Sequence, residues 1–154
     1  MRKFVFGLSA LCGLFVGVAF AGDVVVSEAW TRASAPEQKV AGVYFDIESA
    51  VDAKLVGVET SLTDAAEIHL MSMEDGVMRM RAVPAVDLPA GKTVKFKPGG
   101  YHVMLFDLRQ PLKAGAQIAL ELLVEYEDGE QARLPVTADV RNLDGSKAQH
   151  HHHQ

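Results

Sequence analysis

Short runs of alternating apolar and polar residues recur along most of the chain, and turn residues separate them. The runs begin with VVVSEAWTRA, VAGVYFDIES and AKLVGVETS, and the last, AQIALELLVEYEDGEQARLPVTADV, breaks at an Asp-Gly step. Period-two alternation is typical of half-buried strands, and no stretch shows apolar periodicity of helix length. The sequence therefore predicts an all-β fold, an antiparallel β-sandwich or Greek-key barrel of about eight strands.

The first 21 residues have the pattern of a secretory signal peptide. A basic start at Arg2 and Lys3 precedes an apolar run over residues 4–20, and the small-residue pattern Ala-Phe-Ala ends at Ala21. We expect cleavage after Ala21 and export to the periplasm, with no membrane span in the mature chain.

The mature chain is expected to contain no cysteine, because the single cysteine, Cys12, lies inside the signal peptide. Leu11 precedes it where a lipoprotein signal would require a small residue. Without disulfides, an exported domain must be held together by its core, and residues 22–141 are long enough for one such domain. Residues 142–154 form a polar, His-rich tail that we predict to be disordered.

Charge excludes one class of partner. Once Arg2 and Lys3 leave with the signal peptide, 13 basic residues remain against 20 acidic residues, a net charge of −7. This is not the footprint of a nucleic-acid-binding protein. No nucleophile, base and orienting residue form a recognisable set, so we expect no enzymatic activity.

The segment EIHLMSMEDGVMRM, residues 67–80, contains four of the six methionines. Asp75-Gly76 predicts a two-residue type I′ hairpin turn, because both positions tolerate positive φ. Strand alternation then directs Ile68 and Leu70 to one face, which we expect to be the core. The opposite face would carry His69, Met71, Met73, Met78 and Met80.

A single methionine is usually a flexible filler of the core. Four thioethers and an imidazole on one hairpin face instead indicate a metal site, and His102 and Met104 share a strand face with the same chemistry. Thioethers bind zinc, calcium and magnesium poorly, whereas thioether together with imidazole suits Cu(I). A blue-copper site would need a thiolate, which the mature chain lacks.

The spacing His69-x10-Met80-x21-His102-x-Met104 resembles the H-x10-M-x21-H-x-M signature of the periplasmic copper chaperone family PCuAC. The stretches WTRASAP, AGVYFDIES and DGVMRMRAV extend the resemblance across the mature chain. It implies a cupredoxin-like β-sandwich that binds one Cu(I) through these four side chains.

The resemblance also implies copper delivery to an oxidase subunit during cytochrome c oxidase assembly, alongside a Sco-type thiol chaperone. We expect a monomer. Two other functions remain open: a general copper-resistance buffer with the same site chemistry, and a copper redox protein. Met71, Met73 and Met78 lie outside the signature, either as auxiliary copper ligands or as packing around the site.

The polar tail contains four consecutive histidines, His150, His151, His152 and His153. They have two interpretations, a truncated purification tag or a native extension that serves as an auxiliary metal site. Flexible imidazoles without thioethers suit Cu(II) rather than Cu(I).

We predict that deleting these four histidines leaves Cu(I) affinity unchanged, because the folded domain supplies the four main ligands. Deletion should abolish a second, weaker Cu(II) binding event, weaker because the tail loses chain entropy when it closes on a metal. Calorimetry with Cu(II) on both forms checks this. Equal Cu(II) binding by the two forms would contradict a role for the tail.

Overall fold

The computed structural model describes residues 19–144 and 146–147, and every regular element within them is a strand. The eleven strands are β1 (Ala19–Ala21), β2 (Val24–Arg32), β3 (Ala41–Ser49), β4 (Ala53–Glu59), β5 (Ala65–Glu74), β6 (Val77–Ala82), β7 (Val86–Leu88), β8 (Thr93–Phe96), β9 (Tyr101–Phe106), β10 (Gln117–Tyr126) and β11 (Gln131–Arg141). The predicted all-β sandwich is confirmed. Within the described ranges no helix is long and apolar enough to cross a membrane.

The strands form one sheet in the order β6-β5-β9-β8-β3-β2-β11-β10-β4-β7, with β1 paired to β2. The count exceeds the predicted eight chiefly because β1 and β7, of three residues each, correspond to no alternating run in the sequence. Strands this short leave too few alternating positions for a sequence pattern to identify. Pairing is antiparallel apart from the contact of β2 with β11, where Trp30 lies opposite Asp139, and a single-residue contact of β8 with β9.

The core is mostly aliphatic and follows strand alternation. Along β3, Val43, Phe45 and Ile47 are fully buried and alternate with partly exposed residues. Phe45 stacks on Phe96 of β8 with ring centroids 4.4 Å apart. Burying one side chain of this size contributes about 1.5–3 kcal/mol. A contiguous core of this kind stabilises the domain without any disulfide.

Strands β8 and β9 are two parts of one path along β3, because both pair antiparallel with it. The segment Pro98-Gly99-Gly100 therefore forms a short loop between two collinear strands rather than a hairpin turn. Two hydrogen bonds close it: Lys97 N–H donates to the Tyr101 carbonyl at 2.8 Å, and Gly100 N–H donates to the Lys97 carbonyl at 3.0 Å. Gly99 has a φ of 85°, which glycine adopts without strain.

The β5–β6 hairpin has the predicted turn. Asp75 and Gly76 have φ values of 50° and 78°, as a type I′ turn requires. The register pairs Met73 with Met78 and Met71 with Met80, as the two-residue loop predicts. All six residues of β6 are exposed, so this edge strand is held by its ladder and turn rather than by the core.

Candidate metal centre

The pairing of β5 with β9 separates core side chains from candidate ligands. Ile68 lies opposite Val103, and both are buried in the hydrophobic core. The neighbouring rung places His69 opposite His102, on the other face of the sheet because side chains alternate. The ring centroids of the two histidines are 5.9 Å apart.

His102 is only 4% exposed, and a backbone carbonyl fixes its tautomer. Its Nδ1 lies 2.9 Å from the Gly100 carbonyl oxygen, which can only accept, so Nδ1 carries the proton. In the neutral ring Nε2 then holds a lone pair. That atom lies 3.3 Å from the Sδ of Met80. Two electron-pair donors therefore face each other, an arrangement that a cation between them would stabilise.

His69 is 7% exposed, and its hydrogen bond involves the other ring nitrogen. Its Nε2 lies 2.7 Å from a carboxylate oxygen of Glu67, so the Nε2 proton is donated there. Its Nδ1 is buried and has no hydrogen-bond partner among the described residues. A buried lone pair without a partner is costly. Both histidines thus keep one nitrogen free while the other nitrogen is anchored, as metal-binding histidines commonly are.

A groove of about 400 Å³ gives solvent access to this region. Its lining includes Arg32, Tyr44, Met71, Met80, His102 and Met104. His69 is not among the residues that line the groove. Met80 is 48% exposed. The arrangement places buried imidazoles behind more exposed thioethers.

The imidazole and thioether donors fit a soft metal ion. Bonds of about 2.1 Å to nitrogen and 2.3 Å to sulfur, as tetrahedral zinc makes, would place two ligand atoms roughly 3.5 Å apart. The 3.3 Å between His102 Nε2 and Met80 Sδ is close to that separation. Among residues 19–144 and 146–147, no three His, Cys, Asp or Glu side chains form a metal-binding group.

The four residues of the predicted main site lie on one sheet face. Met104 is two residues from His102 on the same strand and lines the groove with it. Met71 lies opposite Met80 and also lines the groove, whereas Met73 and Met78 form the next pair on the same face, two residues closer to the turn.

The predicted auxiliary site in the tail belongs to the part of the chain that the structure does not describe. All four of its residues lie outside the described ranges, which end at residue 147: His150, His151, His152 and His153. Their binding of Cu(II) stays a prediction from the sequence.

Sequence reasoning missed three groups around the imidazoles: the Glu67 carboxylate, the Gly100 carbonyl and the Tyr44 ring. Glu67 and Gly100 each precede a histidine by two residues, so strand alternation could have placed them beside it. The Tyr44 ring lies 6.4 Å from that of His102. It folds over Gly42, where an added Cβ would lie 2.7 Å from the Tyr44 hydroxyl.

Comparison with known proteins agrees with this architecture. The sequence model of the LpqE-like family, described as "Putative lipoprotein LpqE-like", matches residues 24–138. "Putative lipoprotein Lxx21020" from Leifsonia xyli subsp. xyli is 31% identical over 129 residues, which cover 82% of this chain and 74% of that protein.

Three solved structures share the fold. The apo PCuAC domain of PmoF2 has a TM-score of 0.67 at 22% identity, covering 86% of this chain and 100% of that chain. Its copper-bound form has a TM-score of 0.63 at 21% identity, covering 80% and 97%. The solution structure of CuI-DR1885 from Deinococcus radiodurans has a TM-score of 0.56 at 28% identity, covering 75% and 78%. The chain therefore belongs to the LpqE-like family and has the cupredoxin-like fold of PCuAC domains.

Proposed function

We propose that this protein carries one Cu(I) ion as cargo, bound by His69, Met80, His102 and Met104. The observation that carries the proposal is the pair of free imidazole nitrogens: His102 Nε2 faces the Met80 sulfur at 3.3 Å, and the buried His69 Nδ1 has no partner among the described residues. The solved DR1885 and PmoF2 domains, described as CuI-bound and copper-bound, share the fold and support the choice of metal.

The surroundings of the two histidines favour binding by preorganisation. The Gly100 carbonyl and the Glu67 carboxylate hold one nitrogen of each ring, so the other nitrogen is available without reorientation. Imidazole and thioether ligands are neutral, so Cu(I) keeps its charge and is attracted to an anionic thiolate. The exposed Met80 sulfur is the ligand that an incoming acceptor can displace first.

We further propose that the chain is exported to the periplasm, is cleaved after Ala21 and delivers copper without catalysing a reaction. The acceptor would be a copper-binding subunit of cytochrome c oxidase, with a Sco-type thiol chaperone acting alongside. The description of the family as lipoprotein-like supports export. The alternative to cleavage after Ala21 is a lipid anchor at Cys12. A mature protein anchored in this way would keep residues 12–21 and carry acyl chains, and its mass would be larger by both.

We predict that Met104→Leu reduces Cu(I) affinity by more than the roughly 10–100-fold typical of losing an outer-shell partner, because a direct ligand is removed. Leucine keeps the volume, so the free energy of unfolding should change by less than about 1.5 kcal/mol. Anaerobic competition titration with a chromogenic Cu(I) chelator measures the first quantity, and thermal unfolding measures the second.

Met73→Leu is the matched control, since it removes a thioether of the β5–β6 hairpin that lies outside the proposed main site. X-ray absorption of the Cu(I) complex should show sulfur and nitrogen together around the metal. A spectrum fitted by nitrogen and oxygen alone, or equal affinities for Met104→Leu and Met73→Leu, would contradict the proposed ligands.

We predict that Glu67→Leu lowers Cu(I) affinity by about 10–100-fold without removing a ligand, because the His69 tautomer is no longer fixed. The metal-free protein gives an independent readout. Long-range ¹H–¹⁵N spectra should show the Nε2–H tautomer at His69 in the parent chain and a mixture of tautomers in the variant. Glu67→Gln keeps an acceptor and should restore most of the affinity. An unchanged tautomer in Glu67→Leu would disprove the positioning role.

We predict that the Cu(I)-loaded chain transfers its metal to the separately purified, metal-free copper domain of a cytochrome c oxidase. The thiolates of that domain should outcompete neutral thioethers. Size-exclusion separation and copper analysis of both proteins after anaerobic mixing measure the transfer. Copper that stays on this chain, or moves equally to any thiol protein of similar size, would favour the copper-resistance buffer instead.

A further inference from the structure

The outermost thioethers of the β5–β6 hairpin are exposed rather than packed. Met73 is 63% exposed and Met78 is 48% exposed, both near the turn. A methionine that fills a gap in the core would be buried. Core packing therefore does not explain why both of these exposed positions carry methionine.

The register brings these two sulfur side chains together. Met73 and Met78 lie directly opposite each other, and Met71 and Met80 form the next rung on the same face. A two-residue loop closes on a hydrogen-bonded pair, which makes both methionine rungs the narrower, non-hydrogen-bonded kind. Side chains at such a rung have Cβ atoms about 4.5–5.5 Å apart. Two flexible thioethers at that separation can bind one ion between them.

The opposite face of the hairpin carries the charges. Glu74 forms ion pairs with Arg81 at 2.8 Å and Arg79 at 3.4 Å. Alternation keeps these arginines away from the thioether face. A cation that approaches the methionines therefore does not meet a guanidinium group of the same hairpin.

We propose that Met73 and Met78 form a second, weaker binding site for a soft monovalent cation, through which Cu(I) reaches or leaves the main site. Successive rungs on one strand face are about 7 Å apart. The path runs from this outer rung through Met71 and Met80 to His102, whose Nε2 lies 3.3 Å from the Met80 sulfur. Exposure falls along the path, from 63% at Met73 to 4% at His102. The relay role rests on the proposed function, whereas the existence of the outer site does not.

The test uses Ag(I), a redox-inert soft cation, added to the mature protein labelled with [¹³C-methyl]methionine. The chain has five methionines beyond the initiator, and each gives its own methyl signal. The first equivalent of Ag(I) should shift the signals of Met80 and Met104. A second equivalent should shift those of Met73 and Met78.

The double variant Met73→Leu/Met78→Leu should lose the second binding event and keep the first. Val77→Leu is the control, because it changes an exposed apolar side chain on the other face of the hairpin and should keep both events. A His102→Ala/Met80→Leu variant should lose the first event and keep the shifts at Met73 and Met78.

Two outcomes would overturn the outer site: methyl signals of Met73 and Met78 that stay unmoved at every ratio of Ag(I), or a second event that survives in Met73→Leu/Met78→Leu. If Met80 and Met104 fail to shift while Met73 and Met78 do, the proposed main site is wrong and the outer site stands. With both sites present, Cu(I) release to bicinchoninate should be slower in Met73→Leu/Met78→Leu than in Val77→Leu. Equal release rates would disprove the relay.

Discussion

The pairing of β5 with β9 in one particular register is the constraint on which the site depends. Burial of Ile68 and Val103 in the core holds this register, because a slip of β5 by one residue would expose Ile68. The same slip would turn His69 inward and away from His102, whose strand β9 is also held by β3. The aliphatic core therefore stabilises more than the fold, since it also determines that two imidazoles meet on the outer face.

The two imidazoles and the Met80 thioether differ in how firmly they are held. The imidazoles belong to strands inside the sheet, and hydrogen bonds to Glu67 and Gly100 orient them. Met80 belongs to β6, an edge strand whose residues are all exposed. Edge strands with few buried contacts open at low free-energy cost. Two rigid imidazoles beside a thioether on a movable edge strand suit the copper transfer proposed above.

Much of this arrangement could be predicted from the sequence, because it follows from strand alternation and one turn. Asp75-Gly76 is enough to predict the pairing of Met71 with Met80, since a two-residue loop leaves a single register. Three features were beyond that reasoning: the collinear path of β8 and β9, the parallel contact of β2 with β11, and the burial of both histidines. Each depends on contacts between residues distant in sequence, which local patterns do not encode.

The loop between β8 and β9 connects two parts of the candidate site through one backbone oxygen. Its Gly100 carbonyl accepts two hydrogen bonds, from the backbone N–H of Met71 at 3.1 Å and from Nδ1 of His102 at 2.9 Å. One oxygen atom thus joins the methionine hairpin to the histidine strand. The loop that presents it interrupts a path that pairs with β3 on both sides. Insertions or deletions there would move this oxygen while β8 and β9 keep their pairing with β3, so the orientation of His102 can change without loss of the core.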